Sequence, residues 1–140
     1  NTAPILATVM IILMAATAVM SMLKAGSSQP WMQVRPVALY AGWLTAASGV
    51  AMGVMLGGYA ILTSQTAAIL CLISVLVVAL VVQSKRPLEW GYPAAIVWAL
   101  IGVIAANLST SNWPVITLAA LGVAALTLRT ILSVMKEETL

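Results

Sequence analysis

The chain is poor in the side chains that carry most enzyme chemistry. Its 140 residues include no histidine, one cysteine and three acidic residues. Histidine is the usual general base near neutral pH and the commonest metal ligand. Its absence removes the most common residue type for general-base catalysis and for metal binding. The acidic residues lie outside the long apolar runs, and no nucleophile has a base close to it in a recognisable pattern. We therefore expect no catalytic residue, no metal site and no enzyme activity.

Charged residues are also scarce, at 6% of the chain against 63% hydrophobic residues. A soluble domain carries about 25% charged residues. The apolar residues fall into five long blocks, at about residues 5–23, 37–60, 66–82, 93–108 and 115–135. A helix of about 20 apolar residues crosses a bilayer. The predicted fold class is all-α, a polytopic membrane protein with a bundle of five transmembrane helices.

The few basic residues predict how the chain is oriented. All six lie near alternate block ends: Lys24, Arg35, Lys85, Arg86, Arg129 and Lys136. Lysine and arginine in short loops are retained on the cytoplasmic side. Five crossings then put the N-terminus in the periplasm and the C-terminus in the cytoplasm, in a bacterial inner membrane. We therefore expect the six basic residues to lie at the surface of the lipid bilayer, and we do not expect them to form a nucleic-acid-binding patch.

The second block carries the most regular pattern in the sequence. Small residues recur every four positions along one helix face: Ala41, Thr45, Gly49, Gly53 and Gly57. We call this set the small-residue stripe. Small residues let two helix backbones approach closely in lipid, where the hydrophobic drive between helices is weak. The stripe is expected to contact another helix of the same chain. The alternatives are a membrane protein partner, a second copy of the chain or a missing part of the protein.

Arg129 is the one charge inside an apolar block. Its long side chain can reach the inner interface from about one and a half turns before the block ends, which is snorkelling. The alternative is contact with a lipid headgroup or an anionic cofactor. Asn107 is the one amide side chain within the five apolar blocks, and we expect it to cap the end of its helix or to bond a neighbour.

Residues 35–50, RPVALYAGWLTAASGV, resemble the last helix of the tryptophan-rich sensory protein family, also called the translocator protein family. The family signature reads approximately P-Y-L-x-W-[VL]-[TS]-x-A, which Tyr40, Trp43, Thr45 and Ala47 fit. The first block is similar to that family's fourth helix, and IVWALIG at 96–102 is similar to its longer bacterial members. The resemblance implies that 1–140 is one transmembrane domain, with the last two core helices at 1–58 and a three-helix extension at 59–140. The chain would then be the C-terminal part of a longer protein. The lack of a methionine at Asn1 agrees with such an N-terminal portion or, alternatively, with processing.

The resemblance also implies a function. Family members hold a hydrophobic ligand such as a tetrapyrrole, and the positions that match the family's pocket lining are Tyr40, Trp43 and Ala47. Without histidine, a porphyrin would have to be held by the pocket rather than by an imidazole on its metal. A non-catalytic sensory or regulatory role is the first hypothesis. A structural accessory subunit of a larger complex, for example a photosynthetic one, that packs through its glycine-rich helix is the second.

Overall fold

A computed structural model of the protein describes residues 2–26, 32 and 34–140, so Asn1 lies outside the described residues. These residues form five α-helices and no strand: α1 Ala3–Lys24, α2 Arg35–Gly58, α3 Ser64–Lys85, α4 Gly91–Leu108 and α5 Trp113–Glu138. All five are long and apolar enough to cross a membrane. The predicted all-α class and the count of five spans are confirmed.

Several helices continue past the apolar blocks from which they were predicted. α3 runs on through Gln83 to Lys85, and α5 runs on to Glu138. Hydropathy identifies only the part of a helix that lies in the hydrocarbon core. The helix itself can continue into polar residues with high helix propensity, such as Lys and Glu. α2 begins at Arg35 because Pro36, which lacks an N–H, is tolerated in the first turn.

The helices are arranged around α2, which contacts α1, α3 and α4. α5 packs against α4 and α3, and α1 packs mainly against α2. The closest contacts use small side chains, since Ala38, Ala41, Ala79 and Ala119 have no exposed surface. Small residues at the contacts are what helix association in lipid requires.

Contacts between helix ends define two ends of the bundle. Arg86, just after α3, donates from Nη2 to the carbonyls of Leu23 and Ala25 at the end of α1. The Arg35 guanidinium at the start of α2 lies 5.0 Å from the centre of the Trp90 ring, just before α4. We call this end the basic end, because all six Lys and Arg residues lie at or near it. The opposite end, where α2 and α4 finish and α3 and α5 begin, is the neutral end.

Candidate ligand cavity

α2 and α4 touch closely near the basic end. A Cβ placed on Gly42 would lie 2.9 Å from the Cβ of Ala95 and 3.2 Å from the carbonyl carbon of Tyr92, so only glycine fits there without a shift. The Tyr92 hydroxyl donates to the Thr45 Oγ1 at 3.1 Å, and Thr45 in turn donates to the Ala41 carbonyl at 2.8 Å. This contact fixes the spacing of the two helices at one end of the cavity described next.

A cavity of about 570 Å³ lies beyond that contact, toward the neutral end. Its walls come from α2, α3 and α4, with one residue from α5: Ala46, Gly49, Val50, Gly53, Val54, Gly57, Gly58, Ser64, Ala68, Cys71, Leu72, Val75, Ile96, Ala99, Leu100, Val103, Asn107 and Val115. This volume is within the range of about 300–1,000 Å³ that small-molecule sites occupy. The cavity is therefore large enough for one organic ligand.

The missing side chains of α2 create much of this space. A Cβ on Gly53 would lie 3.8 Å from the Cys71 Sγ, which is ordinary contact, so the glycine leaves room for at least a methyl group beside α3. Gly49 packs directly on the Val75 side chain, and a Cβ on Gly57 would lie 3.6 Å from the Ser64 Oγ. The small-residue stripe thus faces α3 of the same chain at three glycines, while Thr45 contacts α4. An additional partner at this face stays a prediction.

The cavity has few polar groups, and they lie toward the neutral end. Ser64 is the first residue of α3, and Asn107 is the penultimate residue of α4. The Asn107 amide donates to the Val103 carbonyl at 2.8 Å, and its oxygen accepts from Asn112 at 3.1 Å. The wall toward the basic end is apolar, with Ala46 and Ile96 at its limit. None of the described residues that line the cavity carries a charge.

The cavity opens sideways, toward the surface that faces lipid. Val50 and Val54 line it and yet are 61% and 68% exposed. Because these two lining residues are also largely exposed, they lie at the edge of the cavity, between it and the outside of the bundle. A hydrophobic molecule in the bilayer therefore has a lateral route to the cavity.

The three family-implied residues lie elsewhere on α2. Tyr40 and Trp43 are 49% and 55% exposed, and neither they nor Ala47 line the cavity. They share a helix face with Val50 and Val54, since these positions are spaced by three and four residues. The structure places them as a surface that leads from the basic end to the mouth of the cavity, and ligand binding there stays a prediction.

Arg129 makes contacts inside the protein. Its guanidinium donates to the Ser84 Oγ at 2.7 Å and to the Leu80 carbonyl at 3.5 Å, both near the end of α3. A cation near the C-terminal end of a helix also interacts favourably with the helix dipole. The contacts link α5 to α3 at the basic end, which is where snorkelling would take the side chain.

Sequence reasoning missed two polar anchors at the basic end. One is Arg86, which holds the end of α1. The other is Gln83, which is 1% exposed and donates from Nε2 to the Thr130 Oγ1 at 2.7 Å and to the Leu126 carbonyl at 3.3 Å. Their partners are between 43 and 63 residues away in the chain, so no local pattern indicates them.

Comparison with known proteins supports the resemblance. A family model described as TSPO-like protein matches residues 2–133, which takes in α1 to α4 and most of α5. No curated protein and no solved structure gave a significant match. The match runs across residue 58 without identifying which helices form the core, so the division into core and extension stays a prediction. Because the match covers nearly the whole chain, this protein belongs to the TSPO-like family.

Proposed function

We propose that this membrane protein binds a hydrophobic ligand in the cavity between α2, α3 and α4, without chemically changing it. The observation that carries the proposal is the cavity itself, about 570 Å³ in volume and lined mainly by apolar groups. A large apolar pocket with a few polar groups is the usual form of a small-molecule site. The family resemblance implies a tetrapyrrole as the ligand and a sensory or regulatory role.

The orientation belongs to the same proposal. The basic end lies in the cytoplasm of a bacterial cell and the neutral end faces the periplasm, because short loops rich in Lys and Arg are retained inside. The cavity then opens in the outer half of the inner membrane. A partner protein or a second copy of the chain would pack on the exposed helix faces, since the stripe of α2 is already in contact with α3 and α4.

Porphyrin binding to the purified protein tests the proposal. Protoporphyrin added in detergent should quench tryptophan fluorescence saturably, and Gly53→Leu should greatly weaken the saturable part because the new side chain occupies part of the cavity. Gly102→Leu is the matched control, since a Cβ on Gly102 meets no atom of the described residues within 4 Å and this glycine is on the exposed side of α4. It should bind as the wild type does.

A third variant separates the cavity from the exposed face of α2. Trp43→Ala alters the family-implied surface and leaves the cavity walls intact. Loss of binding in Trp43→Ala together with full binding in Gly53→Leu would place the ligand outside the cavity and refute the assignment. Full retention of saturable binding in both variants would also count against it.

A further inference from the structure

We propose that a groove between α4 and α5 binds one anionic phospholipid, with an acyl chain in the groove and the headgroup at the basic end. This α4–α5 groove shares no lining residue with the cavity of the proposed function, so the two sites are separate. The shape of the groove, one hydroxyl on its wall and the charge at its mouth support the assignment.

The α4–α5 groove has a volume of about 300 Å³ and lies on the outside of the bundle. Its walls include residues from both helices: Trp90, Ala94 and Trp98 at α4, and Thr127, Thr130 and Ile131 on α5. The Ala94 N–H donates to the Trp90 carbonyl, so these two residues and Trp98 follow one another at helical spacing on one face. The short side chain of Ala94 therefore leaves a gap between two indole rings.

The groove runs along α4 from the basic end toward the middle of the bundle. It is lined from Trp90 to Ile101, a rise of about 16 Å for eleven residues at about 1.5 Å each. Half of a hydrocarbon core is about 15 Å thick, and tryptophan is enriched at the level of the headgroups. The groove thus has the length and position of an acyl chain in the leaflet at the basic end.

One hydroxyl on the wall of the groove lacks a hydrogen-bond partner. Thr130 donates to the Leu126 carbonyl at 2.8 Å, one helical turn back. Thr127 is exposed and makes no hydrogen bond within the part of the chain that the structure describes. An unsatisfied polar group is costly at membrane depth. A phospholipid has ester carbonyls between its headgroup and its acyl chains, and the Thr127 hydroxyl can donate to one of them.

The mouth of the groove is positively charged on the α4 side. The Arg35 guanidinium lies 5.0 Å from the centre of the Trp90 ring. The two loops at this end and the residues beside them carry four basic residues and one acidic residue: Lys24, Arg35, Lys85, Arg86 and Glu89. The last turns of α5 carry two of each sign: Arg129, Lys136, Glu137 and Glu138. Excess positive charge attracts anionic lipid, so the phosphate lies on the α4 side, next to Arg35.

Native mass spectrometry of the purified protein tests the proposal. The protein would be titrated with palmitoyl-oleoyl phosphatidylglycerol or with phosphatidylcholine of the same acyl chains, so that only the headgroup and its net charge differ. We expect one saturable phosphatidylglycerol per chain. It should bind at least about fivefold more tightly than phosphatidylcholine, which is the ratio that one basic residue near a membrane surface supplies.

Ala94→Leu tests the position of the acyl chain. Ala94 is exposed, so a larger side chain enters the groove without repacking the bundle. We expect both lipids to bind at least fivefold more weakly to this variant. Ala125→Leu is the matched control, because Ala125 is an exposed alanine of α5 that lines neither the groove nor the cavity. It should bind both lipids as the wild type does.

Three further variants test the polar contacts. Arg35→Gln should lower the preference for phosphatidylglycerol about fivefold, whereas Arg35→Lys keeps the charge and should keep the preference. Lys136→Gln removes a charge from the end of α5 and should leave the preference unchanged. Thr127→Val should weaken both lipids about threefold, as for the loss of one hydrogen bond in a membrane.

Several results would overturn the proposal. Equal affinity of the wild type for the two lipids refutes an anionic lipid, and equal affinities of Ala94→Leu and Ala125→Leu refute the groove as its site. An unchanged preference in Arg35→Gln refutes the headgroup position, and an unchanged affinity in Thr127→Val refutes the ester contact. A lipid-free dimer of the wild type that Ala94→Leu dissociates would show that a second copy of the chain fills the groove instead.

Discussion

Replacing Gly42 by alanine is the sharpest test of how α2 and α4 are held together. The added methyl carbon would lie 2.9 Å from the Cβ of Ala95, whereas two carbon atoms in good contact are about 3.5–4.0 Å apart. Relief of the overlap requires the helices to separate by about 0.6–1.1 Å at this point. The hydrogen bond from Tyr92 to Thr45 is already 3.1 Å long and would be stretched by the same movement.

The magnitude follows from three terms. Overpacking of a tight contact costs about 1–3 kcal/mol, and an interhelical hydrogen bond in a membrane protein contributes about 0.6 kcal/mol on average. Alanine gains up to about 1 kcal/mol over glycine within a helix. The expected net loss in the free energy of unfolding is about 1–3 kcal/mol.

Reversible unfolding in mixed micelles of increasing SDS content, followed by circular dichroism, measures this loss. Gly102→Ala is the control, since it adds the same methyl group where no other part of the described structure lies within 4 Å, and it should be neutral or slightly stabilising. Tyr92→Phe should lower the free energy of unfolding of the wild type. Its effect should be smaller in the Gly42→Ala background, where the hydrogen bond from Tyr92 to Thr45 is already stretched. Equal stability of Gly42→Ala and Gly102→Ala would refute this account of the contact.

Two further predictions concern the basic end. Arg86→Met should destabilise the last turn of α1 by about 1–2 kcal/mol, since the carbonyls at this helix end lose their charged hydrogen-bond donor. Backbone amides in that turn should exchange hydrogen faster in Arg86→Met than in Arg86→Lys. Equal protection of these amides in the two variants would contradict the prediction. Gln83→Leu should change the free energy of unfolding by less than about 1 kcal/mol, because the buried Gln83 Oε1 has no partner among the described residues and its removal offsets the two lost bonds. A loss above about 2 kcal/mol in SDS unfolding would show that those bonds matter more than the unpaired oxygen.

The number and type of helices could be predicted from sequence because a membrane span has a simple requirement, about 20 apolar residues in a row. The partners of each helix face could not. The small-residue stripe of α2 was visible, yet Gly42, one residue off the stripe, makes the closest approach to α4. Which glycine meets a backbone depends on the positions of α3 and α4, and no local pattern encodes them.

The cavity shows the same limit. Sequence similarity directed attention to Tyr40 and Trp43, which are large and aromatic, but the volume lies beside Gly53, where a side chain is missing. No single residue type in a sequence indicates where a cavity will form. Its existence depends on contacts such as Gly42 with Ala95, which set the distance between helices more than one turn away. Asn107 was recognised as unusual, though its place at the polar end of a cavity was not predictable.

The walls of the cavity also set an order of events during synthesis. α2 and α3 are consecutive, but the wall that faces them belongs to α4, and the Tyr92 hydroxyl that holds α4 on α2 is 47 residues beyond its partner Thr45. The nascent chain therefore has no cavity while it holds only its first three helices. The site forms when α4 enters the membrane. A ligand that binds only the assembled bundle then shifts the equilibrium from separated helices toward that bundle, by mass action.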